Sequence, residues 1–123
     1  LREEVDKRRA ARKVVVLVID VHGAANIRRM FPGATTVFLL PPSVEELERR
    51  LRGRGTETDE VIRSRLKRAV EEAEFMDHYD YILVNDDLET CVQEMHELIQ
   101  AQRHKTSQNQ EFIAEMKEDL KQF

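Results

Sequence analysis

Three short apolar runs, at 14–19 (VVVLVI), 36–40 (TVFLL) and 81–84 (YILV), constrain the fold of this chain more than any other feature. Each is continuous rather than alternating and rich in β-branched or aromatic residues, the pattern of a strand covered on both faces. The stretches between them show apolar residues at three- and four-residue spacing. Strand and helix alternating over such distances predict an α/β fold, a parallel sheet of right-handed βαβ units covered by helices.

In chain order, residues 1–12 read as a charged helix with little apolar face, ending near Lys13. The first run follows and ends at Asp20. Residues 23–30 predict a short helix, Phe31-Pro32-Gly33 a turn, and the second run is stopped by Pro41-Pro42. Ser43 followed by Glu46 has the spacing of a capping box, so a helix is predicted to begin at Ser43. Val44, Leu47 and Leu51 form its apolar stripe, and Glu46, Arg50 and Arg54 fall on another line four residues apart. Gly53 and Gly55 around Arg54 predict a helix break and a flexible turn. Thr56 or Thr58, with Asp59 and Glu60 behind it, predicts a second helix toward about Met76, carrying Arg63, Arg65 and Arg68. After the third run, Asn85-Asp86-Asp87 leads into a helix over 88–102.

Two helices that meet at a glycine turn and offer arginines toward it have the outline of a lid over phosphates. Guanidinium suits that role because its planar fork pairs with phosphate oxygens and its charge does not titrate away. The same pattern also describes a solvated helix face laced with Glu–Arg pairs, each of small energetic worth. Asp20 and Asn85 fall at strand ends, where the ligand crevice of a parallel sheet lies. Both positions equally suit helix capping, Asp20 for the 23–30 helix and Asn85-Asp86 for the last one. Three strands make a thin sheet, so further strands are expected outside this stretch.

Charge and cysteine usage narrow the partners. A net charge of −4 argues against a nucleic-acid binder, while basic residues cluster at 2–13 and 49–68, as for a local pocket holding a small anion. The single cysteine, Cys91, falls in a helical pattern and reads as packing, in keeping with a reducing, cytoplasmic setting. His22, His78, His96 and His104 lie far apart without metal-ligand spacing, so no metal site is expected. The 14–19 run is too short to cross a bilayer and no signal-peptide pattern precedes it, so no membrane is expected as a partner.

The wording of the lid stretch, L-E-R-R-L-R-G-R-G-T-E-T-D-E-V-I-R-S-R-L, resembles the lid of guanylate kinases, which pass a phosphoryl group from ATP to GMP. The likeness continues through V-V-V-L-V-I-D-V-H-G-A, F-P-G-A, L-P-P-S-V-E-E-L and Y-D-Y-I-L-V-N-D-D-L, covering Val14 to about Ile99. It implies a P-loop kinase-like fold with GMP and ATP as ligands and Mg as the ion accompanying ATP. By the same resemblance Arg50, Arg54 and Arg65 look like the phosphate-binding lid arginines, Arg54 and Arg65 acting in catalysis. Asp20 is similar to the acid that contacts GMP, and Asn85 to the asparagine beside the ATP adenosine. The pattern departs from the family at the first strand's end: D-[IV]-D-x-Q-G becomes Val18-Ile19-Asp20-Val21-His22-Gly23. Family members carry a Gly-rich phosphate loop and GMP-binding segment N-terminal to where this sequence starts, and none of Gly23, Gly33, Gly53 and Gly55 precedes a lysine. Two readings follow: the core-and-lid half of a GMP kinase, inactive without that loop, or a kinase-derived structural subunit of a larger assembly.

The resemblance divides the chain into a kinase-like part, 1–102, with its lid at about 50–66, and an extension, 103–123. In the extension Phe112, Met116, Leu120 and Phe123 recur at three- and four-residue steps on an otherwise charged helix. A short helix of this kind is marginal in water and needs something to lie against. It either folds back on the chain or docks on a partner, and the polar run before it favours an intermolecular contact, with an N-terminal half or another protein.

Overall fold

The computed structural model describes residues 1–10, 14–55 and 57–123, which divide into two compact units, Leu1–Thr36 and Val37–Phe123. The expected end of the first helix near Lys13, and Thr56 as a helix start, lie outside the described residues.

In the first unit, α1 spans Arg2–Ala10 with Glu3 and Glu4 in its first turn and Lys7, Arg8 and Arg9 in its last, the charge order that opposes the helix dipole. An i,i+4 pair, Arg8 to Glu4 at 2.8 Å, adds local support, and the Arg2 guanidinium sits 5.5 Å from the centre of the Phe31 ring. Helix α2, Val21–Met30, starts two residues earlier than the sequence predicts, because Asp20 caps it by accepting from the Gly23 N–H at 2.7 Å. Val5, Val21, Ala24 and Phe31 are buried.

The predicted strand over 14–19 does not form, so the expectation of three strands is corrected to two among the described residues. A strand is held by ladder hydrogen bonds rather than by its own propensity. Among the described residues its unit otherwise holds α1, α2 and a turn, with no strand to pair with it. Val16 and Val18 are accordingly 64% and 98% exposed.

In the second unit β1, Val37–Leu40, and β2, Tyr81–Val84, pair in parallel with Val37 opposite Tyr81 and Leu40 opposite Val84. The α/β expectation therefore stands on one parallel pair, with its crossover made by α3, Val44–Gly53, and α4, Asp59–Ala73. Ser43 caps α3 by accepting from the Glu46 N–H at 3.1 Å, and Thr58 caps α4 by accepting from Val61 at 3.4 Å. A 3₁₀ turn at Met76–His78 leads to β2, and α5, Leu88–Gln102, packs on that strand behind an Asp87 cap. Phe38 and Tyr79 meet edge to face with centroids 5.0 Å apart. Ile62, Leu83 and Cys91 are buried here, the last consistent with packing. Helix α6, Gln110–Leu120, follows a 3₁₀ turn at Thr106–Gln108.

Removing the cap hydroxyl with Ser43→Ala is expected to cost about 1 kcal/mol of stability, the usual worth of an N-cap, whereas Ser43→Asp should cost little. Thermal melting of the two variants checks this; equal melting of wild type and Ser43→Ala would show that the cap is dispensable.

Candidate functional site

The carboxyl end of the parallel pair is where the second unit gathers its polar groups. The Asn85 N–H donates to the Leu40 carbonyl at 2.6 Å, extending the pairing one step past the strands. The Arg50 guanidinium, projecting from α3, donates from Nη1 to the Asn85 carbonyl at 2.8 Å and from Nη2 to the Asp86 carbonyl at 3.3 Å. Its Nε donates to Glu46 Oε1 at 2.9 Å. Leu39, Leu40, Pro41, Leu47, Leu51 and the polar Asn85, Arg50 and Arg54 line an open groove at this edge.

Glu46 has a different role from the one its spacing suggests. Ser43 accepts from its backbone, but the Glu46 carboxylate turns to Arg49 and Arg50 instead of returning to the cap. The hydrogen bond from Arg49 is the largest cause holding the Glu46 carboxyl down to about 2, against an opposing desolvation, with Arg50 adding to it. Arg49 is correspondingly raised, chiefly by the same bond. Arg52 pairs with Glu48 at 3.0 Å and reaches Asp59 in the first turn of α4 at 2.5 Å, and its pKa is raised, chiefly by Asp59.

The three expected lid arginines have different surroundings. Arg50 is fastened to the strand end, and Arg65 Nη2 lies 2.7 Å from Glu57 Oε1. Arg54 caps the end of α3 at the turn, lines the groove, and has no carboxylate partner among the described residues. Arg50, Arg54, Arg65 and Asn85 all fall in the second unit. Asp20 falls in the first unit, where its side chain caps α2.

Sequence reasoning did not single out Glu57 or the Arg52–Asp59 link, since neither has regular helical spacing. It named Asn85-Asp86 as the cap of the last helix, whereas Asp87 takes that role, its carboxylate accepting from the Thr90 hydroxyl at 2.7 Å and N–H at 3.1 Å. Those bonds, the hydroxyl's first, lower the Asp87 pKa. The sequence reading placed Glu46 in the capping box and on one line with Arg50, and its pairing with Arg49 was not singled out.

This parallel pair, with a helical crossover bearing arginines, belongs to the P-loop kinase-like class of α/β folds. The solved structure titled crystal structure of guanylate kinase from Anaplasma phagocytophilum is similar to it with a TM-score of 0.60 and 34% identity, over 73% of this chain and 42% of that one. The guanylate kinase family profile matches residues 1–102, and the chain belongs to the guanylate kinase family. Among curated relatives, the guanylate kinase of Synechococcus sp. (strain CC9311) is 52% identical over 94 residues, 76% of this chain and 50% of that protein. The guanylate kinase of Hydrogenovibrio crunogenus is 39% identical over 118 residues, 96% of this chain and 58% of that protein. The chain thus spans about half the length of the curated relatives it matches.

A depressed carboxyl contributes stability that is complete above its unfolded value, 4.5 for Glu46, and is lost as pH falls through the folded value, about 2. Wild type is therefore expected to lose more melting temperature between pH 5 and pH 2 than Glu46→Gln does. Parallel acid profiles for the two proteins would show that Glu46 gains nothing from its arginines.

Proposed function

We propose that these residues form the core-and-lid portion of a GMP kinase, which transfers the γ-phosphoryl group of ATP to GMP. The observation that carries the reading is the placement of Arg50 and Arg54 on one groove with Asn85, at the carboxyl edge of the parallel strands. In this reading Arg54 and Arg65 stabilise charge on the transferring group, and Arg50 assists in holding the phosphates. Asn85 lies beside the adenosine, and Asp20 contacts the GMP side. Phosphoryl transfer gives a protein little covalent work, so cations placed near the equatorial oxygens supply much of the catalysis. Family membership supports the assignment, and the open guanidinium of Arg54 is what such a role requires.

Mg accompanies ATP in this chemistry and neutralises phosphate charge. Among the described residues no group of three or more His, Cys, Asp or Glu stands together as a metal site. No helix among the described residues is long and apolar enough to cross a membrane, and the unpaired Cys91 suits a cytoplasmic setting.

The phosphate loop's backbone N–H groups and lysine cradle the β- and γ-phosphates, and the sequence G-x-x-x-x-G-K-[ST] does not occur in these 123 residues. The isolated stretch is accordingly expected to show no GMP-dependent ATP turnover in a coupled assay, and turnover that disappears in Arg54→Ala would refute this. With a guanylate kinase N-terminal half supplied, Arg54→Ala should lower kcat by about a hundredfold or more, the scale of arginines acting on phosphoryl-transfer charge. Arg54→Lys should recover little of it, because an ammonium lacks the fork. Near-wild-type kcat in Arg54→Ala would remove Arg54 from the chemistry.

The alternative, a kinase-derived interaction subunit, draws on α6. Phe112, Met116 and Leu120 are 59%, 43% and 60% exposed, and Phe123 at its end is fully exposed. In this second reading the stripe docks on another protein or on a missing half. Deleting 108–123 is then expected to change the association state in sedimentation with little loss of melting temperature. An unchanged association state with a melting loss of several degrees would make α6 internal cover.

A further inference from the structure

A carboxylate with one oxygen on a guanidinium and the other shut away stands behind Arg65. Glu57 Oε1 forms an ion pair with Arg65 Nη2 at 2.7 Å, while Glu57 Oε2 is buried with no hydrogen-bond partner among the described residues. The Glu57 side chain is 17% exposed and the Arg65 side chain 44%. The buried acid therefore grips one corner of a guanidinium whose remainder faces outward.

An arginine on a helix face has four torsions to order before it can meet a phosphate, and that ordering opposes binding and catalysis alike. Guanidinium carries five N–H donors in a fixed planar fork, so a carboxylate that takes one corner sets the plane and leaves the other donors available. We propose that Glu57 is the positioning residue for Arg65: it fixes the guanidinium plane so that the outer edge is presented to the anionic group in transfer. This rests on the phosphate-binding reading of Arg65 given above and adds a residue that acts only through it.

The geometry separates Arg65 from its helix neighbours. Arg68 lies 4.0 Å from Glu72 one turn on, an exposed i,i+4 pair of ordinary kind. Glu57 instead precedes α4, outside its regular spacing, and is mostly withdrawn from solvent. A mostly buried carboxylate with one unmet oxygen is costly to keep without its cation. Arg65→Ala alone therefore removes the reacting guanidinium and also strands the acid. The pair must be taken apart from both sides.

The test is steady-state kinetics and thermal melting of the complete kinase carrying this lid, as wild type, Glu57→Gln, Arg65→Ala and the double variant. Glu57→Gln keeps the size of the side chain and an acceptor but removes the charge. It is expected to lower kcat about tenfold while KM for ATP and GMP stays within twofold and melting is nearly unchanged, as for loss of transition-state alignment. The double variant should turn over no more slowly than Arg65→Ala and should melt higher, because the stranded carboxylate is gone. Wild-type kcat in Glu57→Gln, together with a damaged Arg65→Ala, overturns the positioning role and leaves the arginine's role intact. Multiplied losses in the double variant overturn it too, since Glu57 would then act independently of Arg65. An unaffected Arg65→Ala overturns both the positioning role and the phosphate-binding assignment on which it stands.

Discussion

The tie between Arg50 and the end of β2 is the contact that anchors the helical crossover to the strands. Strand-end carbonyls have lost their ladder and need another donor. The carbonyls of Asn85 and Asp86 obtain theirs from Arg50, on α3 at the start of the crossover. Asn85 is at the same time tied through its N–H to Leu40. One guanidinium thus fastens the start of the crossover to the end of β2, which the Asn85 N–H ties to β1. Arg50 keeps one proton on each terminal nitrogen for any further acceptor.

Around this root the lid is stitched by opposite charges at graded distances along the chain. Glu46 serves Arg49 and Arg50 within one helix, Arg52 reaches across the turn to Asp59, and Glu57 reaches forward to Arg65. Exposed pairs such as Arg52–Glu48 contribute little to stability individually. Their effect is directional: each removes freedom from a long side chain, and the arginine at the turn, Arg54, is left unpaired by any carboxylate among the described residues. The Glu-laced face that the spacing allowed is therefore present along α3, and Arg54 at the turn stands outside it.

Much of the second unit was legible because its signals are local. The β2 and α5 boundaries agree with the sequence reading, since a compact apolar run and an acidic cap cluster fix them within a few residues. The start of α3 was equally readable from Ser43. What failed depended on partners. The 14–19 run has the composition of a strand yet finds no ladder in its unit, and Glu46 chose arginines over the cap it was spaced to serve. Glu57 was invisible for a related reason: its value comes from burial and from Arg65 eight residues on, and neither follows from periodicity. Asp20 was legible as a cap from its position before the 23–30 segment, and it caps α2.

The two glycines of the lid, equivalent in the sequence, are not equivalent in the structure. Gly53 is the last residue of α3 and has open space where a Cβ would stand, so an alanine fits there and would lengthen the helix's hold on the turn. Gly55 also has open space, but its φ of +66° is a conformation that L side chains resist. Position 53 therefore presents no barrier to a side chain, and at position 55 the barrier is handedness. The hairpin's stiffness is consequently open to change at position 53, while the hand of its turn is fixed by position 55.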